Sequence, residues 1–325
     1  MSVRWGLLST AKINDKFIAG CAASDVVEIS AVASRDLDRA RTSAQEKAIP
    51  RAHGSYEALL ADPEVDAVYI SLPNSLHLEW TQRALRAGKH VLCEKPLGRE
   101  PASVAAAFDL ADREGRLLME GFMYRHHPQT LKLTEIVRSG VIGRVRLIRA
   151  TFSFRLTGDE DVRLRRGLDG GALMDVGCYC VSAARLLAGE PVEVSALQEL
   201  GGDGVDVLLT GLLRFRGGEV ALFDCGFVSA PRDELEVVGE TGSLFLDDPW
   251  HCRKPVIEVR AGDGVEHVEV PAADSYRLEA ENFAAAVLGQ SEPLLGRADA
   301  VGQAATIGAL YAAAASGHLE TPVHG

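Results

Sequence analysis

The sequence predicts an α/β chain of two domains. Residues 1–121 form an open, doubly wound parallel sheet, and residues 122–325 an α+β domain on a large, mostly antiparallel open sheet. Three observations carry this. The first third alternates short apolar runs with helical patterns at the spacing of βαβ units. From Val192 to Val270, strand patterns follow one another across glycine-rich turns without crossover helices, as in an antiparallel sheet. The length, 325 residues, exceeds the usual size of one hydrophobic core.

Taken in order, Val3 to Ser9 is an apolar strand. Ala11 to Ala23 follows with Ile13, Phe17, Ile18 and Cys21 at helical spacing. Val26 to Ser34 is a second strand and Leu37 to Ala48 a polar helix. Ser55 to Leu60 is a short helix that stops before Asp62-Pro63. Ala67 to Ser71 is a strand, and Leu76 to Ala87 a helix closed by Gly88. Val91 to Glu94, Pro101 to Glu114 and Leu117 to Gly121 complete the strand and helix alternation of a Rossmann sheet, and the boundary falls at Gly121-Phe122.

Beyond it, Gln129 to Ser139 reads as a helix, Val145 to Phe154 as a strand and Thr157 to Leu168 as a charged loop. Gly170-Gly171 opens a further helix. Strands are expected at Glu193–Leu200, Val205–Phe215, Val220–Phe227, Asp233–Gly239, Gly242–Leu246 and Val256–Val270. Helices at Tyr276–Val287 and Ala298–Ala315 close the domain. One face of this sheet packs on helices. The other, with residues of the Leu209, Leu213 and Phe223 type, is expected to be covered by forming a homodimer or homotetramer.

A formal net charge of −12 argues against nucleic acid or an anionic membrane as partner. No apolar run approaches the roughly 18 residues of a membrane span, and Met1 to Gly6 reads as a strand entry without a signal-peptide layout, so a cytoplasmic protein is expected. The six cysteines have no C-x-x-C spacing and read as reduced thiols, with no disulfide frame and no metal site.

In open α/β sheets the ligand crevice lies outside the carboxyl ends of the strands. At the first such end, Ser9-Thr10-Ala11-Lys12-Ile13-Asn14 stands where a dinucleotide fold carries G-x-G-x-x-G. Small residues allow a close backbone approach, and Ser9 and Thr10 add hydroxyls. Taken alone, this is equally a turn with no ligand. At the second end, Ser34 and Arg35 suit a 2′-phosphate, which favours NADP(H); Asp36, one position late, leaves NAD(H) open. At the third, Ser71-Leu72-Pro73-Asn74 forces a loop at the crevice, with His77 in the helix that follows.

The fourth end is Glu94-Lys95-Pro96, around which the chain is organised. A lysine ending a buried strand is costly without a partner or a task. Pro96 keeps Lys95 out of the helical region and permits a cis bond. Further on, Asp175 and Tyr179 are four apart and share a helical face; alone this is equally a capping Asp and a core Tyr, and with Glu94-Lys95-Pro96 upstream it suits a carboxylate that orients a phenol. The arginines of the charged loop read first as a solvated run; if one of them reaches a cofactor phosphate, it is Arg163.

The stretch Gly6 to Ile13, the loop from Leu72 to His77, Glu94-Lys95-Pro96 and the block Gly170 to Tyr179 resemble the glucose–fructose oxidoreductase/inositol dehydrogenase (Gfo/Idh/MocA) family. Met123-Tyr124-Arg125-His126-His127-Pro128 resembles the dimeric dihydrodiol dehydrogenase and NADP-dependent D-xylose dehydrogenase branch. The resemblance implies an NAD(P)-dependent oxidoreductase moving a hydride between the nicotinamide and a carbinol or keto carbon of a sugar, polyol or trans-dihydrodiol. It implies that Lys95 holds cofactor and substrate oxygen, that Tyr179 exchanges the proton, and that Asp175 lies near both. Glu94 falls with the cofactor residues, and Tyr124 and Arg125 with the substrate. A nearby ammonium stabilises tyrosinate and so lowers the working pKa of the phenol. Two rival expectations are a lyase or hydrolase that oxidises a sugar transiently and a non-catalytic dinucleotide sensor.

Overall fold

In the computed structural model, which describes residues 1–158 and 160–324, contacts divide the chain into two units. The first comprises Met1–Gly98, Ala102–Met123 and Asp274–Ala300. It runs β1 (Val3–Leu8), α1 (Ile13–Cys21), β2 (Val27–Ala33), α2 (Leu37–Glu46), β3 (Arg51–His53), α3 (Tyr56–Leu60), β4 (Ala67–Ile70), α4 (His77–Arg86), β5 (His90–Glu94), α5 (Pro101–Glu114) and β6 (Leu118–Gly121). The strands lie in the order β3-β2-β1-β4-β5-β6 and all pair in parallel. The order reverses between β1 and β4, where such folds hold their ligand.

A parallel sheet covered on both faces needs strands that are apolar on both sides. Leu7, Leu8, Val68, Ile70, Val91 and Leu92 accordingly have no exposed surface. Side-chain caps fix the polar helices: Asp36 accepts from Arg39 N, and Ser55 from Ala58 N. β3, three half-buried residues, is an element the apolar pattern does not reveal.

The second unit comprises Arg99–Pro101, Tyr124–Ala273 and the chain from Val301 onward. α6 (Pro128–Ser139) carries proline at its first turn and ends at Gly140 with φ +76°. β7 (Val145–Ser153) follows. The loop after it contains two short 3₁₀ turns, Val162–Leu164 and Arg166–Leu168. A π-turn over Leu173–Gly177 then leads into α7 (Cys178–Ala188).

The remaining strands are β8 (Pro191–Leu200), β9 (Asp206–Phe215), β10 (Val220–Gly226), β11 (Arg232–Gly239), β12 (Gly242–Asp247), β13 (Val256–Ala261) and β14 (Gly264–Glu269). With β7 they form an eight-stranded sheet, β14-β13-β12-β11-β7-β10-β9-β8, antiparallel at every pairing except β10 with β7. The single strand expected over Val256–Val270 is a hairpin, because Gly262 takes φ +59° and turns the chain.

Leu209, Leu213 and Phe223 do not face outward as expected. All three are buried. Strand alternation puts them on the side covered by α7 and the π-turn. Thr210, Arg214 and Leu222 are exposed on the opposite side. The stretch Arg166–Ala188 is also long and apolar enough to cross a membrane by length and composition, against expectation. Since 78% of its apolar window is buried within the fold, it reads as a core helix.

α8 (Ser275–Val287) returns to the first unit and packs on α1. Asp274 caps it by accepting from Arg277 N, and Phe283 meets Trp5 at 5.0 Å between ring centroids. α9 (Arg297–Ser316) follows. All six cysteines are buried.

Candidate active site

In the first unit the neighbouring strands β1, β4 and β5 present their carboxyl ends side by side. Ser9 stands where the first fingerprint glycine would be, with φ +146°. That value is costly for a residue with a side chain, and a hydrogen-bond ring holds it. Ser9 and Ser71 hydroxyls meet at 2.8 Å, Ser71 donates to Asn14 Oδ1 at 2.6 Å, and Asn14 Nδ2 donates to Ser9 O at 2.8 Å. Ser9 Oγ also accepts from Ala11 N. The ring ties β1 to β4 and leaves small side chains at the turn. Asn14, almost fully buried, was not among the expected site residues.

At the end of β2, Ser34 Oγ accepts from Asp36 N at 3.3 Å and Asp36 caps α2, so its carboxylate is already engaged. Arg39 Nε donates to Thr10 Oγ1 at 2.8 Å. Burial pushes the Tyr56 phenol up, and the charges of Arg35 and Arg39 pull it back. Thr10, Ser34, Arg35 and Arg39 therefore give a hydroxyl-rich, cationic set at the first two strand ends. These donors suit a phosphorylated ribose better than a free 2′-hydroxyl. Arg39, in the first turn of α2, carries no signal in the sequence, since its partner Thr10 lies in the turn after β1. Lys12 is exposed and Ile13 begins α1.

The Glu94-Lys95-Pro96 segment is braced on both sides. The Lys95–Pro96 peptide is cis. The His77 ring, buried, contacts Pro96 O and Leu72 O at 2.8 Å each, tying the loop after β4 to the loop after β5. Pro73 and Asn74, half-buried, lie on that loop. Leu97 N donates to Glu120 Oε1 at 2.7 Å. Glu94 Oε1 accepts from the Tyr69 hydroxyl. Lys95, half-buried, leaves the carboxyl end of β5 from this frame.

The second unit assembles the other candidates. Arg163 Nε donates to Asp175 Oδ2 at 2.7 Å, and the same guanidinium reaches Asp161 at 3.2 Å. The pull of Asp175 raises the Arg163 pKa, and burial opposes it. The structure thus places Arg163 on the carboxylate of the site helix. Tyr179, 6% exposed, sits among aromatic rings: Tyr124 at 5.7 Å, Phe152 at 5.5 Å and Trp250 at 6.0 Å. The Tyr124 hydroxyl donates to Ser182 Oγ at 2.8 Å, and Arg125 reaches the same oxygen at 3.3 Å. Trp250 Nε1 donates to Thr151 O, which fixes that ring. Trp250 lies in a strand-to-strand turn, a position that carries no catalytic signature in sequence.

His251, beside Phe152, meets Asp233 at 2.8 Å and Asp248 at 3.4 Å. Asp233, Asp248 and His251 bring their ligand-type atoms within 4.8 Å of one another. Arg253 bonds Asp248 at 3.0 Å, so the protein itself supplies a counter-charge there. Lys95 belongs to the first unit, and Asp175 and Tyr179 to the second.

Residues 3–122 match the family described as "Oxidoreductase family, NAD-binding Rossmann fold", and residues 130–245 match the "GFO/IDH/MocA C-terminal domain". The chain is 42% identical to D-xylose 1-dehydrogenase (NADP(+)) 2 of Haloferax volcanii over 96% of its own length and 98% of the relative's. It is 35% identical to the trans-1,2-dihydrobenzene-1,2-diol dehydrogenase of Mus musculus, covering 77% and 76%. The solved structure of a 3-ketoreductase from Actinomadura kijaniata in complex with NADP and TDP-benzene superposes with a TM-score of 0.91, at 34% identity, covering 96% of this chain and 98% of that one.

Proposed function

Since the chain belongs to the Gfo/Idh/MocA family of NAD(P)-dependent oxidoreductases, we propose that it moves a hydride between NADP(H) and a carbinol or keto carbon of a sugar, polyol or trans-dihydrodiol, with Lys95 and Tyr179 at the reacting oxygen. The observation that carries this is the braced Lys95 at the end of β5, in a chain alike over nearly its whole length to an NADP-dependent sugar dehydrogenase. The engaged Asp36 and the set Thr10, Ser34, Arg35 and Arg39 favour NADP(H) over NAD(H).

The nicotinamide supplies the hydride chemistry when bound. The chain's residues supply position and charge. Tyr179, as phenolate, takes the alcohol proton during oxidation and returns it during reduction. The Lys95 ammonium stabilises the developing alkoxide. Asp175, held by Arg163, orients the substrate hydroxyl, and Tyr124, Phe152 and Trp250 keep water from the phenol. Arg125 completes the substrate side. Ser9, Ala11, Lys12 and Ile13 line the pyrophosphate turn, and Ser71, Leu72, Pro73, Asn74 and Glu94 border the ring. His77 acts by bracing two loops. A cytoplasmic location and a homodimer or homotetramer through the open sheet face, which exposes Leu197 and Leu222, complete the reading.

The test is NADPH formation from NADP⁺ with D-xylose and with trans-1,2-dihydrobenzene-1,2-diol. Lys95→Ala and Tyr179→Phe should each lower kcat by roughly 10³-fold with the fold retained. Near-wild-type turnover by either variant would remove the assignment.

A further inference from the structure

The reaction above uses Asp175 and Tyr179 but leaves unexplained a buried polar cluster at the start of their helix. Asp206, on β9, is 1% exposed. Its Oδ2 accepts from Leu173 N, the first residue of the π-turn, at 2.7 Å. Its Oδ1 accepts from the Tyr311 hydroxyl of α9 at 2.8 Å. The Tyr311 ring lies under Arg99, 5.5 Å from the guanidinium carbon, and Arg99 pairs with Asp169 at 3.0 Å. Gly171 threads beneath this cluster at φ +125°. A Cβ added there would fall on Asp206 Oδ1 and lie 2.9 Å from Tyr311 Oη. Gly171 also donates to Arg163 O, and its own carbonyl accepts from Asp175 N.

We propose that Asp206 and Tyr311 are positioning residues that fix the start of the π-turn and thereby the reach of Asp175 and Tyr179. The proposal rests on the reading that these two residues serve the reaction. A π-turn needs such a device. Its wider winding is less stable than an α-turn and is found mostly at functional sites. Its first amide lacks a partner within the helix. One charged acceptor satisfies that amide, and the close fit of Gly171 under the same carboxylate fixes where the turn begins. A shift of the start by one residue would rotate Asp175 away from Arg163.

Burial raises Asp206 to about 6, against the bonds from Leu173 N and Tyr311. The groups facing it are the Tyr311 phenol from α9 and the Cys225 thiol from β10, with the Arg99–Asp169 pair beyond Tyr311. As pH falls through that value the carboxylate takes a proton, and one of its two oxygens becomes a hydroxyl that no longer serves as a charged acceptor. An acid limb in kcat is the expected signature.

The experiment compares the full-length wild type with Asp206→Asn and Tyr311→Phe. Hydrogen exchange of the peptide covering residues 171–180 should speed up about tenfold or more in both variants. With NADP⁺ and D-xylose, kcat should fall roughly 10- to 100-fold while NADPH affinity stays within about twofold. The part of the acid limb centred near 6 should be absent in Asp206→Asn, leaving only the limb set by protonation of the Tyr179 phenolate. In a Tyr179→Phe background each substitution should cost less turnover than in the wild type, because only the part carried through Asp175 remains. Should Asp206→Asn fail to fold, Tyr311→Phe, which removes one hydroxyl, carries the test. Exchange and kcat at wild-type levels in the folded variants overturn the proposal. Normal turnover by Tyr179→Phe alone overturns the functional reading instead, and exchange then decides the clamp by itself.

Discussion

Replacing Glu279 by Gln should stabilise the protein at neutral pH. Glu279, on α8, has no exposed surface, and neither carboxyl oxygen has a hydrogen-bond partner among the described residues. Its Oε1 would lie 3.6 Å from a Cβ placed on Gly121, beside Glu94, whose own carboxylate accepts from Tyr69. Burial first and Glu94 second push the Glu279 pKa well above the ordinary carboxyl value. The sign is therefore the reverse of a salt-bridged acid. The unfolded chain ionises near pH 4.3 while the folded one resists. Stability is full below that pH and declines as pH rises toward the raised folded value. At pH 7 the loss is at most about 3.7 kcal/mol, from 1.36 kcal/mol per unit over roughly 2.7 units. Gln has nearly the same shape and no charge to lose. Urea denaturation of both proteins between pH 4 and 8 should give equal stability at the acid end and a widening advantage for Glu279→Gln toward neutrality. A variant equal to or weaker than the wild type at pH 7 would show that Glu279 is ionised and paired, and would refute the reasoning.

Further outcomes follow from the two units. Arg39→Ala and Arg35→Ala should each weaken NADPH binding roughly tenfold with little change for NADH, read by fluorescence titration, since each removes a charge-assisted bond to a 2′-phosphate. Equal losses for both cofactors would move these arginines away from that phosphate. Gly171→Ala should destabilise by about 2 kcal/mol or more, because φ +125° and the Asp206 carboxylate both exclude a methyl group. Thermal unfolding reads this directly, and an unchanged Tm would deny the tight fit.

The parallel sheet was legible because buried parallel strands write themselves as continuous apolar runs, and Glu94-Lys95-Pro96 stood out because a lysine breaks such a run. The spacing of Asp175 and Tyr179 fits a capping carboxylate and a core phenol equally well, and only Glu94-Lys95-Pro96 upstream turns it toward a site. Other features were hidden for physical reasons. The sequence places Leu209, Leu213 and Phe223 on the outer face and the structure on the covered one, because period-two alternation tells which residues share a face, never which face is covered. The hairpin at Gly262-Asp263 is in fact written in the sequence, since Gly-Asp between two β-rich runs is a two-residue hairpin signal, and Gly264 follows it. α8 reads as an ordinary Ala-rich helix, and nothing local to it says that Phe283 meets Trp5 almost three hundred residues upstream. The Ser9–Ser71–Asn14 ring, Arg39, Trp250 and the Asp206–Tyr311 pair depend on partners far apart in sequence, so tertiary structure alone identifies them.

The most direct test of hydride transfer is to deuterate the carbinol carbon of an accepted alcohol and follow the label by mass spectrometry of the cofactor. One deuterium should appear in each reduced cofactor formed, with a slowed turnover. Product forming without net reduced cofactor, or deuterium passing to solvent, would contradict the account and favour transient oxidation in its place.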